Sequence, residues 1–256
     1  MRLVLIAEAR ADAVSAGQLA DWVLIECGPD WIADSIESLR NWTGLDADTP
    51  FTVWRGVKEY AKSYSLKIHG RNRGADYTAA RRTFAAVVFV ARETPIDAIV
   101  LIRDLDNQPE RRMGLEEARK DIASNLGFPA VIGTANPEWE AWILNGFVAK
   151  SASESRRLEQ VTNCLGFDPT QQPHRLRGDR RRSAQDAERD IKKVLAELVA
   201  SDSSREQDCL QDTPLKVLVA RGGETGLSDF LQEVHTKLVY LFDSVSAPEP
   251  CNALDP

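Results

Sequence analysis

Ile96-Asp97-Ala98-Ile99-Val100-Leu101-Ile102-Arg103-Asp104-Leu105-Asp106 is the stretch on which the fold turns. Ile96–Ile102 is an almost continuous apolar run, mostly β-branched and of strand length. Such runs belong to strands buried on both faces of a parallel sheet. Gln108-Pro109 then opens a polar helical pattern through Leu115, Ala118 and Ile122 that stops at Gly127. Pro129–Thr134 reads as the next short strand. Strand, helix and strand in this order predict a parallel crossover unit.

Upstream, Leu3–Ala7 is a second apolar run, ending at Glu8, and a helical pattern from Asp12 through Leu19, Trp22, Val23 and Ile25 stops at Gly28-Pro29. Residues 30 to 74 carry Trp31, Trp42 and Trp54 among turn signals and read as an insertion, with a strand at Leu66-Lys67-Ile68-His69. A helix from Asp76 to about Arg92 follows. Downstream, Asn136-Pro137 places an N-cap and a first-turn proline ahead of a helix over Glu138–Phe147. Beyond residue 150 the pattern is mostly helical, over Ser151–Leu165, Ser183–Val199 and Leu227–Phe242, with an edge strand at Leu215–Ala220 and a loose tail over Ala247–Pro256. The expected fold is therefore α/β, a mainly parallel sheet flanked by helices. Residues 1–150 form its core and 151–256 a helical extension.

The 256 residues include 43% hydrophobic and 28% charged side chains, a globular balance that argues against disorder. No apolar run approaches the ~20 residues that span a bilayer. The opening MRLVLIAEAR turns charged too early for a signal peptide, so a cytoplasmic protein without a membrane partner is expected. The four cysteines are scattered and form no zinc-ligand pattern. A net charge of -7 excludes a uniformly basic nucleic-acid binder, leaving a local basic patch or a metal ion as the means of meeting phosphate.

Carboxylates stand where such a fold puts its ligands. Glu8, Asp104 and Asp106 lie at the carboxyl ends of apolar strands, the edge at which open α/β sheets bind. A D-x-D pair on a short turn can aim two carboxylates at one hard cation. Solvation or helix capping is the plain alternative. At about 100° per residue, Trp139, Trp142, Ile143, Leu144 and Phe147 form one apolar stripe with Glu140 inside it and Glu138 outside. An ionised carboxylate in such a face needs a partner, either a metal or a buried arginine such as Arg103.

These motifs resemble the Toprim domain of topoisomerases, primases and OLD-type nucleases: apolar strand, Glu8, three residues, Asp12 and a helix, then apolar strand and Asp104-x-Asp106. Thr134-Ala135-Asn136-Pro137-Glu138-Trp139-Glu140-Ala141-Trp142-Ile143-Leu144 is similar to the NP-x-x-E-x-W segment of small Toprim-like proteins associated with bacterial defence. The resemblance covers roughly residues 1–150. It implies a Toprim-like (Rossmann-like) sheet and a Mg²⁺ or Mn²⁺ site held by Glu8, Asp104, Asp106 and Glu140, with Asp12 in support. Ala9 departs from the family, which usually has glycine there. No ATPase motif, zinc ribbon or topoisomerase tyrosine module accompanies the core.

The basic segment His174-Arg175-Leu176-Arg177-Gly178-Asp179-Arg180-Arg181-Arg182, followed by Lys192-Lys193, is the candidate phosphate-facing patch, with Arg71 and Arg73 as possible additions. A solvated basic loop is the alternative. The three tryptophans of residues 30–74 either stack bases or anchor packing. The histidines form no catalytic arrangement with a serine or cysteine. The leading expectation is a metal-dependent nuclease acting on DNA or RNA, in the setting of anti-phage defence. A non-catalytic subunit docking onto a partner ATPase is the alternative, and hydrolysis of small nucleotides a third reading.

Overall fold

The computed structural model describes residues 1–66, 74–178, 188–242 and 251–255. The fold is α/β, with a five-stranded sheet ordered β2-β1-β4-β5 and β3 paired to β1. Here β1 is Arg2–Ala7, β2 Asn41–Thr43, β3 Thr52–Val53, β4 Ala98–Asp104 and β5 Ala130–Ala135. β1 pairs in parallel with β2, β3 and β4. The chain divides into two compact units, but not at residue 150. The first comprises Met1–Arg103, Pro109–Gly133 and a segment that begins at Glu233. The second comprises Asp104–Gln108, Thr134–Gln232 and the end of the tail.

In the first unit, α1 (Arg10–Cys27) starts where the Asp12 carboxylate accepts the Ala9 N–H at 3.0 Å. It buries Ala13, Ala16, Ala20, Val23 and Leu24, the three-and-four spacing of a helix face. α4 (Tyr77–Ala91) and α5 (Glu110–Leu126) supply Phe84, Val87, Leu115 and Ile122 to a core shared with Val4, Ile6, Ile99 and Leu101. Each such side chain contributes about 1.5–3 kcal/mol on burial.

Residues 30–66 are not an insertion outside the sheet. They carry α2 (Ile36–Leu39), α3 (Trp54–Ser63) and both short strands that pair with β1. Arg2 ties this segment down, its Nε donating to Thr43 Oγ1 at 3.0 Å and its Nη2 to the Leu45 carbonyl at 3.3 Å. Strands of three and two residues have no legible period of their own and exist because the edge of β1 offers a ladder. Leu66 lies outside any strand, and Lys67–His69 of the expected strand, like Arg71 and Arg73, fall outside the described residues.

The second unit is built around α6, which runs from Glu140 to Gly146, two residues later than the sequence reading. Asn136 does not cap it. The Asn136–Pro137 bond is cis, and the Asn136 N–H donates to the Thr225 carbonyl at 3.1 Å. Trp142 is fully buried, 5.1 Å from the Phe230 ring by centroid, and its Nε1 donates to Thr225 O at 2.9 Å. The last turn of α6 has carbonyls without intrahelical partners. Arg221 Nη1 supplies them, donating to Asn145 O at 3.1 Å and Phe147 O at 3.0 Å.

Among the described residues, this unit also holds the α-helices α7 (Ala152–Leu165), α8 (Ile191–Leu198), α9 (Ser203–Gln211), α10 (Leu215–Gly222) and the first part of α11 (Leu227–Leu238). Leu215–Ala220 is thus helical and not an edge strand. It buries Leu215, Leu218 and Gly222, which share one face only at helical period. The end of the tail is not loose throughout, since Leu254 is buried.

A Cβ on Gly146 would lie 2.3 Å from the Cys209 carbonyl oxygen, so α6 and α9 approach through a missing side chain. Gly146→Ala is expected to cost about 1–3 kcal/mol by overpacking. Thermal denaturation followed by circular dichroism checks this, and an unchanged midpoint would show that the helices can separate at no cost.

Candidate carboxylate site

The second unit joins the turn after β4 to the turn after β5 by main-chain hydrogen bonds. Leu105 N donates to Ala135 O at 2.8 Å, and Asp106 N to Pro137 O at 2.7 Å. Asp106 and Asn107 both hold positive φ, 49° and 58°, a conformation Asn and Asp adopt more readily than most residues. The D-x-D loop is thereby fixed against the Asn136–Glu140 segment by backbone contacts that the spacing of its carboxylates does not reveal.

Glu138 is the buried carboxylate of this site, at 7% exposure. Within Pro137–Phe147 it is Glu140 that is partly exposed, which reverses the sequence expectation. The helix starts at Glu140, so Glu138 lies before it and helical period does not govern where its side chain sits. Burial, above all, pushes the Glu138 carboxyl above the usual carboxylate range. Lys192 pulls it back, and the charges of Glu140 and Asp106 add to the rise.

Lys192 Nζ lies 2.9 Å from Glu138 Oε2 and 3.5 Å from Glu140 Oε1. Burial opposes its charge, but its hydrogen bonds and Coulombic attraction to these two carboxylates outweigh that and hold the ammonium above the ordinary lysine range. Asp190 caps α8, its Oδ1 accepting from Lys192 N at 3.0 Å. The same residue forms a parallel bridge with Arg177. Arg177 N donates to Arg189 O at 2.9 Å and Ile191 N to Arg177 O at 3.0 Å. A Cβ on Gly178 would fall 2.1 Å from Glu138 Oε1, so the backbone at the root of the basic segment lies directly against this carboxylate.

Of the expected basic residues, Arg175 and Arg177 are exposed. The Arg175 guanidinium sits 4.1 Å above the Phe167 ring, a cation–π contact that orients it. Arg180, Arg181 and Arg182 lie outside the described residues.

Glu8 and Asp12 belong to the first unit. The pairing of Leu3 with Ala98 and Ile6 with Leu101, carried two residues on, sets Glu8 opposite Arg103, and the two form an ion pair. Arg103 Nε also bonds Asp76 Oδ2 at 2.7 Å, and its guanidinium covers the Trp54 ring at 5.2 Å. Arg103 is thus the partner of Glu8 and Asp76, where the sequence had offered it to Glu140. Of the other tryptophans of this segment, Trp42 donates its Nε1 to Asp21 and Trp31 is 51% exposed.

Oxygen donors of this kind suit a hard divalent cation such as Mg²⁺ or Mn²⁺. Among the described residues no group of three or more His, Cys, Asp or Glu side chains is arranged to hold a metal ion.

Comparison with family models, with curated proteins and with solved structures gives no match for this chain. Among the described residues no helix is long and apolar enough to cross a membrane.

Proposed function

We propose that this protein is a Mg²⁺- or Mn²⁺-dependent nuclease of Toprim-like type, hydrolysing phosphodiesters of DNA or RNA, with its chemistry at the Asp104, Asp106, Glu138 and Glu140 carboxylates. The observation that carries this reading is the pair of carboxylates, Glu138 and Glu140, bridged by the one Lys192 ammonium on a segment that main-chain bonds join to the Asp104–Asp106 loop. Like charges held together in a partly desolvated place cost stability unless a cation offsets them. A divalent ion held by these carboxylates would supply activation of water and neutralisation of charge on the scissile phosphate.

The protein's own residues have separate tasks in this scheme. Asp104 and Asp106 come from a loop whose backbone is held by main-chain bonds from Leu105 and Asp106, so its path does not depend on a ligand. Lys192, Arg175 and Arg177 face the phosphate backbone, and the basic segment rooted at Gly178 offsets the repulsion between an acidic protein and a polyanion. Glu8, balanced by Arg103, is retained as a further acid/base or metal-binding candidate, with Asp12 supporting its loop. A role in defence against phage rests on the resemblance of the Thr134–Leu144 segment alone.

The test is incubation with total RNA and with plasmid DNA, each with and without Mn²⁺. Metal-dependent cleavage of either polymer supports the reading. Turnover of mononucleotides alone would redirect it to small nucleotides, and no turnover with no Mn²⁺ uptake at millimolar concentration would favour docking onto a partner ATPase.

Arg180→Ala, Arg181→Ala and Arg182→Ala combined are expected to raise KM for a polymeric substrate, leave kcat near wild type and flatten the salt dependence. Each lost phosphate contact removes about one unit from the slope of log affinity against log salt. Steady-state kinetics at several salt concentrations decide this. A matching fall in kcat at saturating substrate would place the loop in the chemistry instead.

A further inference from the structure

We propose that a cleft in the first unit, sharing no residue with the carboxylate site, binds a guanine base, as a free nucleoside or within a single strand. The proposal stands on the first unit alone and holds whether or not the protein cuts phosphodiesters.

The cleft encloses about 420 Å³, a size that admits a small organic ligand. Its walls come from β1, the turn after β2, α3 and the end of α4. Tyr60 and Tyr64, four residues apart, meet with ring centroids at 4.8 Å, and Phe89 lies 5.1 Å from Tyr64. Tyr64 is nevertheless 52% exposed. An aromatic ring left half in water at a cleft offers a surface on which another flat ring can stack.

The polar groups set what that ring must carry. Arg2 lines the cleft, and its guanidinium donates to neutral oxygens, those of Thr43, Gly44 and Leu45. Its Nη1 is buried with no partner. A guanidinium nitrogen in that position calls for an acceptor. Asp46 and Glu93 line the same cleft and call for donors. Both act on one hydroxyl: burial first, then Tyr64, then the charges of Asp46 and Glu93 push the Tyr60 hydroxyl above the usual tyrosine range. Guanine meets both demands on one flat ring. Its O6 and N7 are the acceptors that arginine pairs. Its N1–H and N2 amino group donate side by side, the arrangement a carboxylate takes up through two oxygens. Adenine, cytosine and uracil lack that pair of adjacent donors.

The test is calorimetric titration of guanosine, inosine, adenosine and cytidine into the whole protein, repeated with Tyr64→Ala and with Asp46→Asn and Glu93→Gln combined. Wild type is expected to bind guanosine, and to bind inosine, which lacks the N2 amino group, roughly tenfold more weakly. Both variants should weaken guanosine by roughly tenfold or more. Their melting curves should match wild type, because the three replaced residues are exposed. An oligothymidine carrying one guanine decides the source of the base. Binding tighter than guanosine assigns it to a strand, and binding no tighter assigns it to the free nucleoside. Guanosine that fails to bind at millimolar concentration would overturn the proposal. So would equal binding of all four nucleosides, or a guanosine affinity that survives the loss of Tyr64 or of the two carboxylates.

Discussion

Replacing Asp104 and Asp106 together by alanine is expected to abolish Mn²⁺ uptake and to lower the rate of phosphodiester cleavage by on the order of 10³-fold or more. A bound divalent ion supplies several kcal/mol of transition-state stabilisation, and each ~1.4 kcal/mol is a factor of ten in rate. The backbone at this loop is held independently of its side chains, through Leu105 N to Ala135 O and Asp106 N to Pro137 O. The double variant should therefore keep its circular dichroism spectrum and, on the proposed function, lose divalent-ion uptake. Calorimetry with Mn²⁺ and a cleavage assay on the same preparation check both halves. Retained cleavage in the double variant would remove these residues from the site, and a wild type that takes up no divalent ion would leave a docking role as the better account of the fold.

Glu138→Gln should separate activity from stability in opposite directions. The wild-type carboxyl is held above its ordinary value, chiefly by burial and further by Glu140 and Asp106. Between the unfolded and the raised folded value, the folded protein binds more protons than the unfolded one. Stability contributed by this group therefore falls as pH rises through that window, and at neutral pH the ionised form is a net liability. Glutamine keeps the shape and removes the charge. The variant is expected to melt at the same temperature or slightly higher at pH 7, and to lose that component of the pH dependence. On the proposed function, its cleavage rate should fall by roughly 10²-fold or more, because a charged carboxylate proposed as a metal ligand is lost. Glu140→Gln, at a partly exposed position, should lose activity with little change in midpoint. Melting curves from pH 4 to 8 and cleavage rates measured together provide the comparison. A Glu138→Gln protein that is much less stable yet fully active per folded molecule would make Glu138 a structural ion-pair residue and end its role in the site.

These two predictions concern different kinds of residue, and the sequence reading treated them differently. The place of Asp104 and Asp106 at the end of β4 is legible because the preceding run, Ala98–Ile102, is apolar at every position, and the abrupt change to Arg103-Asp104 marks a strand end without any tertiary knowledge. Glu138 was missed because its burial depends on where α6 starts. That start is set by Asn136, which bonds Thr225 some ninety residues away in the chain and not its own helix. Lys192 was assigned to the basic patch by its charge, and only the fold brings it against Glu138 and Glu140.

The sequence by itself determined the long, strongly patterned elements. β1, β4 and β5 announce themselves as short apolar runs, and α1, α5 and α7 end at Gly28, Gly127 and Gly166, where a helix stops for local reasons. Tertiary structure alone decided the rest. β2 and β3 are three and two residues long and are strands only because β1 has an edge to offer. Leu215–Gly222 is a helix because its apolar residues are buried at 215, 218 and 222, a choice an eight-residue run does not make alone. Glu8 is balanced by Arg103 through the register of two strands nearly a hundred residues apart. Periodicity is a property of neighbours along the chain, so it fixes where elements lie. The partner of a charge, and the burial that shifts it, are set by residues distant in the chain, and those appear only when the elements have packed.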